Sequence, residues 1–168
     1  MKQLATFLFL IGITFYSFAQ VGLKVGHLNV PEILQKLPET DSVRAIIEKE
    51  TKELEDLYTE LIQEYDTYFD KFESEKEGYS ELVRRTKETE IREKAAKVQQ
   101  FNQNANQQIQ KRNMELNQPI YEKVNQAITS IATREQFTYV LDTSNGAVIY
   151  QSPNSLNITS MVLKELGL

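Results

Sequence analysis

Residues 41–72 read DSVRAIIEKETKELEDLYTELIQEYDTYFDKF, and their spacing decides the fold. Val43, Ile47, Leu54, Leu57, Leu61, Tyr65, Tyr68 and Phe72 recur in steps of three and four, with Glu50 interrupting the row. That is helical periodicity close to a heptad. The steps through 57, 61, 65 and 68 make a local eleven-residue spacing, which relaxes left-handed supercoiling and predicts an imperfect coiled coil. Pro38-Glu39-Thr40-Asp41 marks its start, where Thr40 or Asp41 can cap the free amides and the acids favour the positive helix end.

Working outward, the only glycine between Gly26 and Gly146 is Gly78, and the only prolines there are Pro31, Pro38 and Pro119. Around Phe72-Glu73-Ser74-Glu75-Lys76-Glu77-Gly78-Tyr79-Ser80 the aliphatic row lapses, so the chain is expected to reverse with Gly78 near the apex. A second row follows: Leu82, Ile91, Ala95, Val98, Ala105, Ile109, Leu116, Ile120, Val124, Ala127 and Ile131. The result is an antiparallel helical hairpin over 39–136 with its apex near 73–80. At ~1.5 Å per residue each arm exceeds about 55 Å, far longer than a domain of this mass requires.

Charge divides the arms. Glu39 to Asp66 carries ten acids against three bases, while Glu88 to Glu135 carries six acids and seven bases. Such runs are read first as solvated faces and second as a source of inter-helix selectivity. Between Gln99 and Gln118, twelve of twenty positions are Asn or Gln, so the seam there should be thin and the hairpin soft. Pro119 removes a backbone donor and predicts a kink or break in the returning arm.

Two extended regions flank the hairpin. Leu23 to Val30 reads as one strand, and Phe137 to Asp142 and Ala147 to Tyr150 as two more, joined in a hairpin by the Ser144-Asn145-Gly146 turn. After Pro153, Asn157 or Thr159 can cap a short helix over 158–166 whose Met161, Val162, Leu163 and Leu166 supply a buried face. Fold class is therefore α+β, mostly α: a small β-body with a short C-terminal helix, formed by 20–38 and 137–168, carrying a long helical hairpin. So small a core gains from self-association.

The N-terminus reads as an address. Lys2 precedes a nearly unbroken apolar run, Leu4 to Phe18, and Ser17-Phe18-Ala19 sets small residues before Gln20. Residues 1–19 are read as a signal peptide cleaved near Ala19/Gln20, since this run is shorter than the roughly 20 residues of a spanning helix. Cleavage removes one base, leaving 18 bases against 24 acids, a mature charge of −6.

Composition excludes much chemistry. The 168-residue chain has no cysteine and one histidine, so thiolate catalysis, disulfides and Cys- or multi-His metal centres are excluded within one chain. An acidic balance argues against a nucleic-acid binder. His27 reads as a structural strand histidine, and Glu53 with Glu55 or Asp56 as ordinary acids of a solvated helix. Asp142 reads as the organiser of the Thr143–Gly146 turn. Asn157-Ile158-Thr159 is a bare glycosylation match. No phosphate loop or nucleophile elbow is present in the sequence, and no enzyme, metal or cofactor is expected.

The ordered set Lys24-Val25-Gly26-His27-Leu28-Asn29, Ile33-Leu34, Leu37-Pro38-Glu39, a breaker-poor hairpin, Pro119-Ile120-Tyr121, Val124, Ala127-Ile128, Tyr139-Val140-Leu141-Asp142 and Ile158-Thr159…Val162-Leu163…Leu166 resembles the Skp (OmpH-like) family of periplasmic chaperones over essentially the whole mature chain. The resemblance implies a homotrimer with a central β-body, to which Val25, Leu28, Val140, Leu141, Val148 and Ile149 would contribute. It implies helical arms enclosing unfolded outer-membrane proteins in the periplasm without ATP. Tyr65, Tyr68, Phe69, Phe72, Tyr79 and Phe101 are the client-binding candidates; Tyr68 and Phe69 are adjacent and cannot both face one seam. This chain is acidic where better-known members are basic, so only the apex bases, Lys71, Lys76, Arg84, Arg85 and Lys87, remain for a peripheral membrane contact. The alternative is a structural or adaptor coiled coil of the cell envelope that binds a folded partner through its apex.

Overall fold

Asn29 opens the first helix by accepting a hydrogen bond from the Glu32 amide (3.1 Å), and Pro31 occupies the first turn, where its missing N–H costs nothing. In the computed structural model, which describes residues 23–168, strand β1 (Val25–Leu28) leads directly into this helix, α1 (Val30–Gln35). The signal reading of Met1–Ala19 lies outside the described residues. Leu37 precedes a proline and is therefore extended, which ends α1, and Pro38 then begins α2 (Pro38–Glu75). The start is thus three or four residues earlier than Thr40 or Asp41 would set it: Leu37 is the cap, and proline geometry replaces a side-chain cap.

A short 3₁₀ turn, Lys76–Gly78, reverses the chain, with no atom within 4 Å of where a Gly78 side chain would begin. Ser80 caps α3 (Glu81–Arg134) by accepting from the Val83 amide (3.4 Å). The expected break at Pro119 does not occur, and α3 runs through it. The turns that follow bury Ile120, Val124, Ala127 and Ile131, and this burial outweighs the ~3 kcal/mol cost of an interior proline. At its end Gln136 takes a left-handed conformation (φ 57°), its amide bonding to Thr133 O and that of Phe137 to Ala132 O, a Schellman closure made without glycine.

The chain then forms β2 (Tyr139–Asp142), β3 (Leu156–Asn157) and α4 (Thr159–Glu165). The sheet order is β2-β1-β3 and both pairings are parallel. This corrects the expected β-hairpin. Gly146 does make a turn (φ 74°), but Ala147–Tyr150 forms no strand, and Ile149 and Tyr150 are 98% and 80% exposed. The second edge of β1 is taken by Leu156 and Asn157, which leaves Val148 and Ile149 outside the sheet. The cap of the last helix is Ile158 rather than Asn157 or Thr159, and the Asn157 side chain accepts from the Thr159 amide (2.9 Å) just ahead of it.

One core joins body and arms: Leu28, Ile33, Leu37, Ile158 and Val162 close on the base of α3, with Phe137 and Val140 packed against them. Asp142 ties β2 to α1. Burial alone would push its carboxyl up, but hydrogen bonds from the Ser144 amide and hydroxyl and the Val30 amide win and hold it below the ordinary range.

Gly26 sits under the Phe137 ring, where an added Cβ would lie 2.9 Å from Cε1 and 3.2 Å from Ile158 Cγ2. Gly26→Ala is expected to lower stability by about 1–3 kcal/mol through overpacking. Gln136→Gly, relieved of its left-handed strain, is expected to raise it by up to about 1 kcal/mol. Urea-unfolding midpoints of the two variants check both signs.

Candidate client-binding surface

The arms are joined by a thin seam reinforced with charge. On α2 the half-buried row is Val43, Ile47, Glu50, Leu54, Tyr58, Leu61, Tyr65 and Tyr68, ending in buried Phe72. Tyr58 takes the place expected for Leu57, which is 49% exposed, so the eleven-residue spacing falls at 47–58 rather than 57–68. On α3, Ile91, Val98, Ala105, Ile109 and Leu116 keep their places, but Leu82 is 77% exposed and Ala95 faces solvent while Lys94 lies in the seam.

Three acids of α2 cross to bases of α3: Glu39 to Lys123, Glu50 to Arg112 (3.0 Å) and Glu64 to Lys94. Glu50, an interruption in the sequence pattern, is thus a rung between the arms. The Lys123 hydrogen bond lowers the Glu39 carboxyl, and that from Lys94 lowers Glu64. Part of the charge asymmetry is therefore inter-helix pairing rather than a solvated face alone.

The candidate aromatics divide by surroundings. Phe72 is 7% exposed and packs against Tyr79 (6.3 Å between centroids), whose hydroxyl donates to the Glu75 carboxylate, so both close the apex. Tyr68 is half-buried beneath the ammonium groups of Lys87 (4.9 Å) and Lys94 (5.2 Å), and its hydroxyl accepts from Lys87 (2.7 Å). Phe69 turns outward, 37% exposed, and stacks on half-buried Tyr65 (6.0 Å). Phe101 stacks on Tyr58 (6.5 Å), midway along the arms. The pair Tyr68 and Phe69 separates between seam and surface, as adjacency requires.

Four of the five apex bases are engaged locally: Lys76 with Glu73 (2.8 Å), Arg84 and Arg85 with Glu81 (2.6 and 2.7 Å), and Lys87 with Glu90 (3.2 Å). Among the described residues Lys71 alone of the five makes no ion pair. The apex instead presents Leu82 and Val83, 77% and 41% exposed, which sequence periodicity assigns to the seam or passes over.

At the other end the sheet is open. Register places Val25 beside Tyr139 and His27 beside Leu141, so these four share one face. His27 is buried, but Val25, Tyr139 and Leu141 are 37%, 58% and 42% exposed. Leu28 and Val140 instead face the helices. Parallel sheets are ordinarily covered on both faces, and here one chain covers one. No described helix is long and apolar enough to cross a membrane, and no described group of His, Cys, Asp or Glu could hold a metal ion.

Comparison with known proteins places this architecture. The model of the family described as "Outer membrane protein (OmpH-like)" matches residues 24–166. The chain belongs to this OmpH-like family. Proteins named "Chaperone protein Skp" from Photorhabdus luminescens and from Photorhabdus laumondii subsp. laumondii are each 30% identical over 169 residues, spanning 98% of this chain and 98% of each relative. The crystal structure of an OmpH-like protein from Caulobacter crescentus superposes with a TM-score of 0.68 at 16% identity, covering 84% of this chain and 82% of that one. At that identity the likeness speaks for the OmpH-like fold alone.

The carboxylates of Glu39 and Glu64 are held below the ordinary glutamate range in the folded chain, so their stabilisation is present at neutral pH and lost as pH falls through those lowered values. The thermal unfolding temperature is expected to fall on acidification below the usual glutamate range. Glu64→Gln, measured across the same pH series, should flatten part of that dependence.

Proposed function

We propose that this OmpH-like chain is a periplasmic holdase that works without ATP, binding unfolded outer-membrane β-barrel proteins between helical arms and preventing their aggregation. The observation that carries the reading is the disproportion between arms and body. A 38-residue and a 54-residue helix are held by a core that leaves one sheet face open. Long arms with half-buried aromatics offer many weak, sequence-tolerant contacts, which is what a holdase needs, and no catalytic step is required. The names of the Photorhabdus relatives support the chaperone class.

The working unit is a homotrimer. Val25, Tyr139 and Leu141 on the open face, together with Val148, Ile149 and Tyr150 beyond the turn, form the apolar surface that neighbouring chains would cover. Phe69, Tyr65 and Phe101 are the aromatics best placed for client, whereas Phe72 and Tyr79 hold the apex together.

The exposed Leu82 and Val83 favour a second reading, an envelope adaptor that docks a folded partner or a membrane surface at its tip.

The experiment is dilution of a denatured outer-membrane β-barrel protein into buffer with the mature chain, followed by light scattering, with mass measured in parallel. Suppressed aggregation by a species of three chains is expected, reduced at least severalfold by Phe69→Ala and unaffected by Leu82→Ser. A well-folded oligomer that suppresses nothing overturns the holdase and moves the adaptor reading forward.

A further inference from the structure

Among the clefts along the arms, two are bordered by asparagines. One, of about 340 Å³, lies between Leu54 and Tyr58 of α2 and Phe101, Ala105 and Ile109 of α3, with Asn102 and Asn106 at its edge. The second, of about 230 Å³, lies nearer the body beside Val43 and Ile47, with Asn113 and Asn117 at its edge. The offsets 102, 106, 113 and 117 keep all four asparagines on one face of α3, so the clefts share one side of the seam. They exist because the seam is underfilled. Ala105, one of the small residues of its row, lies in the same cleft as Leu54 and leaves the space that a larger side chain would occupy.

The asparagines are arranged as donors and acceptors. Asn106 Nδ2 donates to Asn102 Oδ1 (3.0 Å) and to its carbonyl (2.9 Å), and Asn117 is tied in the same way to Asn113. Each pair is thereby held in place with the Nδ2 of its first member and the Oδ1 of its second available for another partner. Four helical residues rise ~6 Å, and alternate residues of an extended chain repeat every ~6.7 Å, so each pair matches successive backbone groups of a strand. From Asn102 to Asn117 is ~22 Å, the length of about seven extended residues.

Charge selects the occupant. Residues 99–110 carry no charge in a chain that is 26% charged, and Arg112 just beyond them is engaged by Glu50. On the opposite bank Arg44 is paired with Asp41, and Glu48 and Glu55 are acidic. An acidic segment is repelled there, and a neutral one meets carboxamides that satisfy its backbone.

We infer that this side of the hairpin is a binding groove for an extended, uncharged polypeptide segment with alternating apolar side chains, the apolar groups entering the Leu54–Ala105 cleft and the backbone bonding to the asparagines. The inference rests on the holdase reading and specifies the client segment it takes and where.

The test uses the mature chain and a fluorescein-labelled peptide alternating valine and threonine, read by fluorescence anisotropy beside the aggregation assay. Asn102→Asp with Asn106→Asp should weaken binding about tenfold, because the Nδ2 donors are lost and two like-charged carboxylates stand side by side in their place. Ala105→Leu, which fills the cleft, should do the same, and Gln108→Glu on the opposite face should change it less than about twofold. Circular dichroism confirms that each variant is helical, and a variant that loses helicity is replaced in the comparison by the other. Wild-type protein that keeps the β-barrel soluble yet does not bind the peptide, or binds it equally in the folded groove variants, overturns the groove and leaves the holdase standing. Protein that neither binds the peptide nor holds the β-barrel overturns both.

Discussion

Parallel pairing governs this molecule. Because β1 runs parallel to both of its neighbours, no tight turn can connect them, and the chain must travel away and come back to the same end of the sheet. Ordinary folds meet this need with a single crossover helix. Here the crossover from β1 to β2 comprises α1, α2 and α3, so the hairpin is the connection itself rather than an appendage. Its two feet are fixed by the core on which the sheet lies, and everything beyond them is free to project.

Stability is consequently distributed unevenly. Fully buried aliphatic residues concentrate at the body, where Leu28, Ile33, Leu37, Val124, Ile131, Ile158 and Val162 meet. Along the arms the seam is half-buried, and ion pairs supplement it at three levels. Exposed pairs contribute little individually, and their value here lies in setting which faces meet. Glu165 on α4 accepts from Ser130 and Arg134 of α3 and is held below its usual range by them, which fastens the last helix to the foot of the returning arm.

The hairpin and its reversal at Gly78 were legible because a long periodic pattern and one glycine admit few foldings. The sheet was less legible. Ala147-Val148-Ile149-Tyr150 has strong strand character but no partner in its own chain, while Leu156-Asn157 is too short to show a pattern and is recruited by the free edge of β1. Pro119 misleads because tertiary burial decides the helix there. The types of candidate residue were readable, but their directions were not: a drift of one position between Ile47 and Tyr58 turns Leu57 out and Tyr58 in. Amide-rich sequence looks like mere thinness until the helix face aligns four asparagines beside a cleft.

Length has a mechanical consequence. Gripped at its feet by a close-packed core, the hairpin acts as a lever whose α2 limb alone is ~57 Å long. A rotation of ten degrees at the base therefore sweeps the apex through roughly 10 Å without breaking a backbone hydrogen bond in either arm. A small rearrangement among Leu37, Ile120 and Val124 becomes a wide excursion at Leu82, and the volume bounded by several such levers is set by their fulcrum, not by their tips.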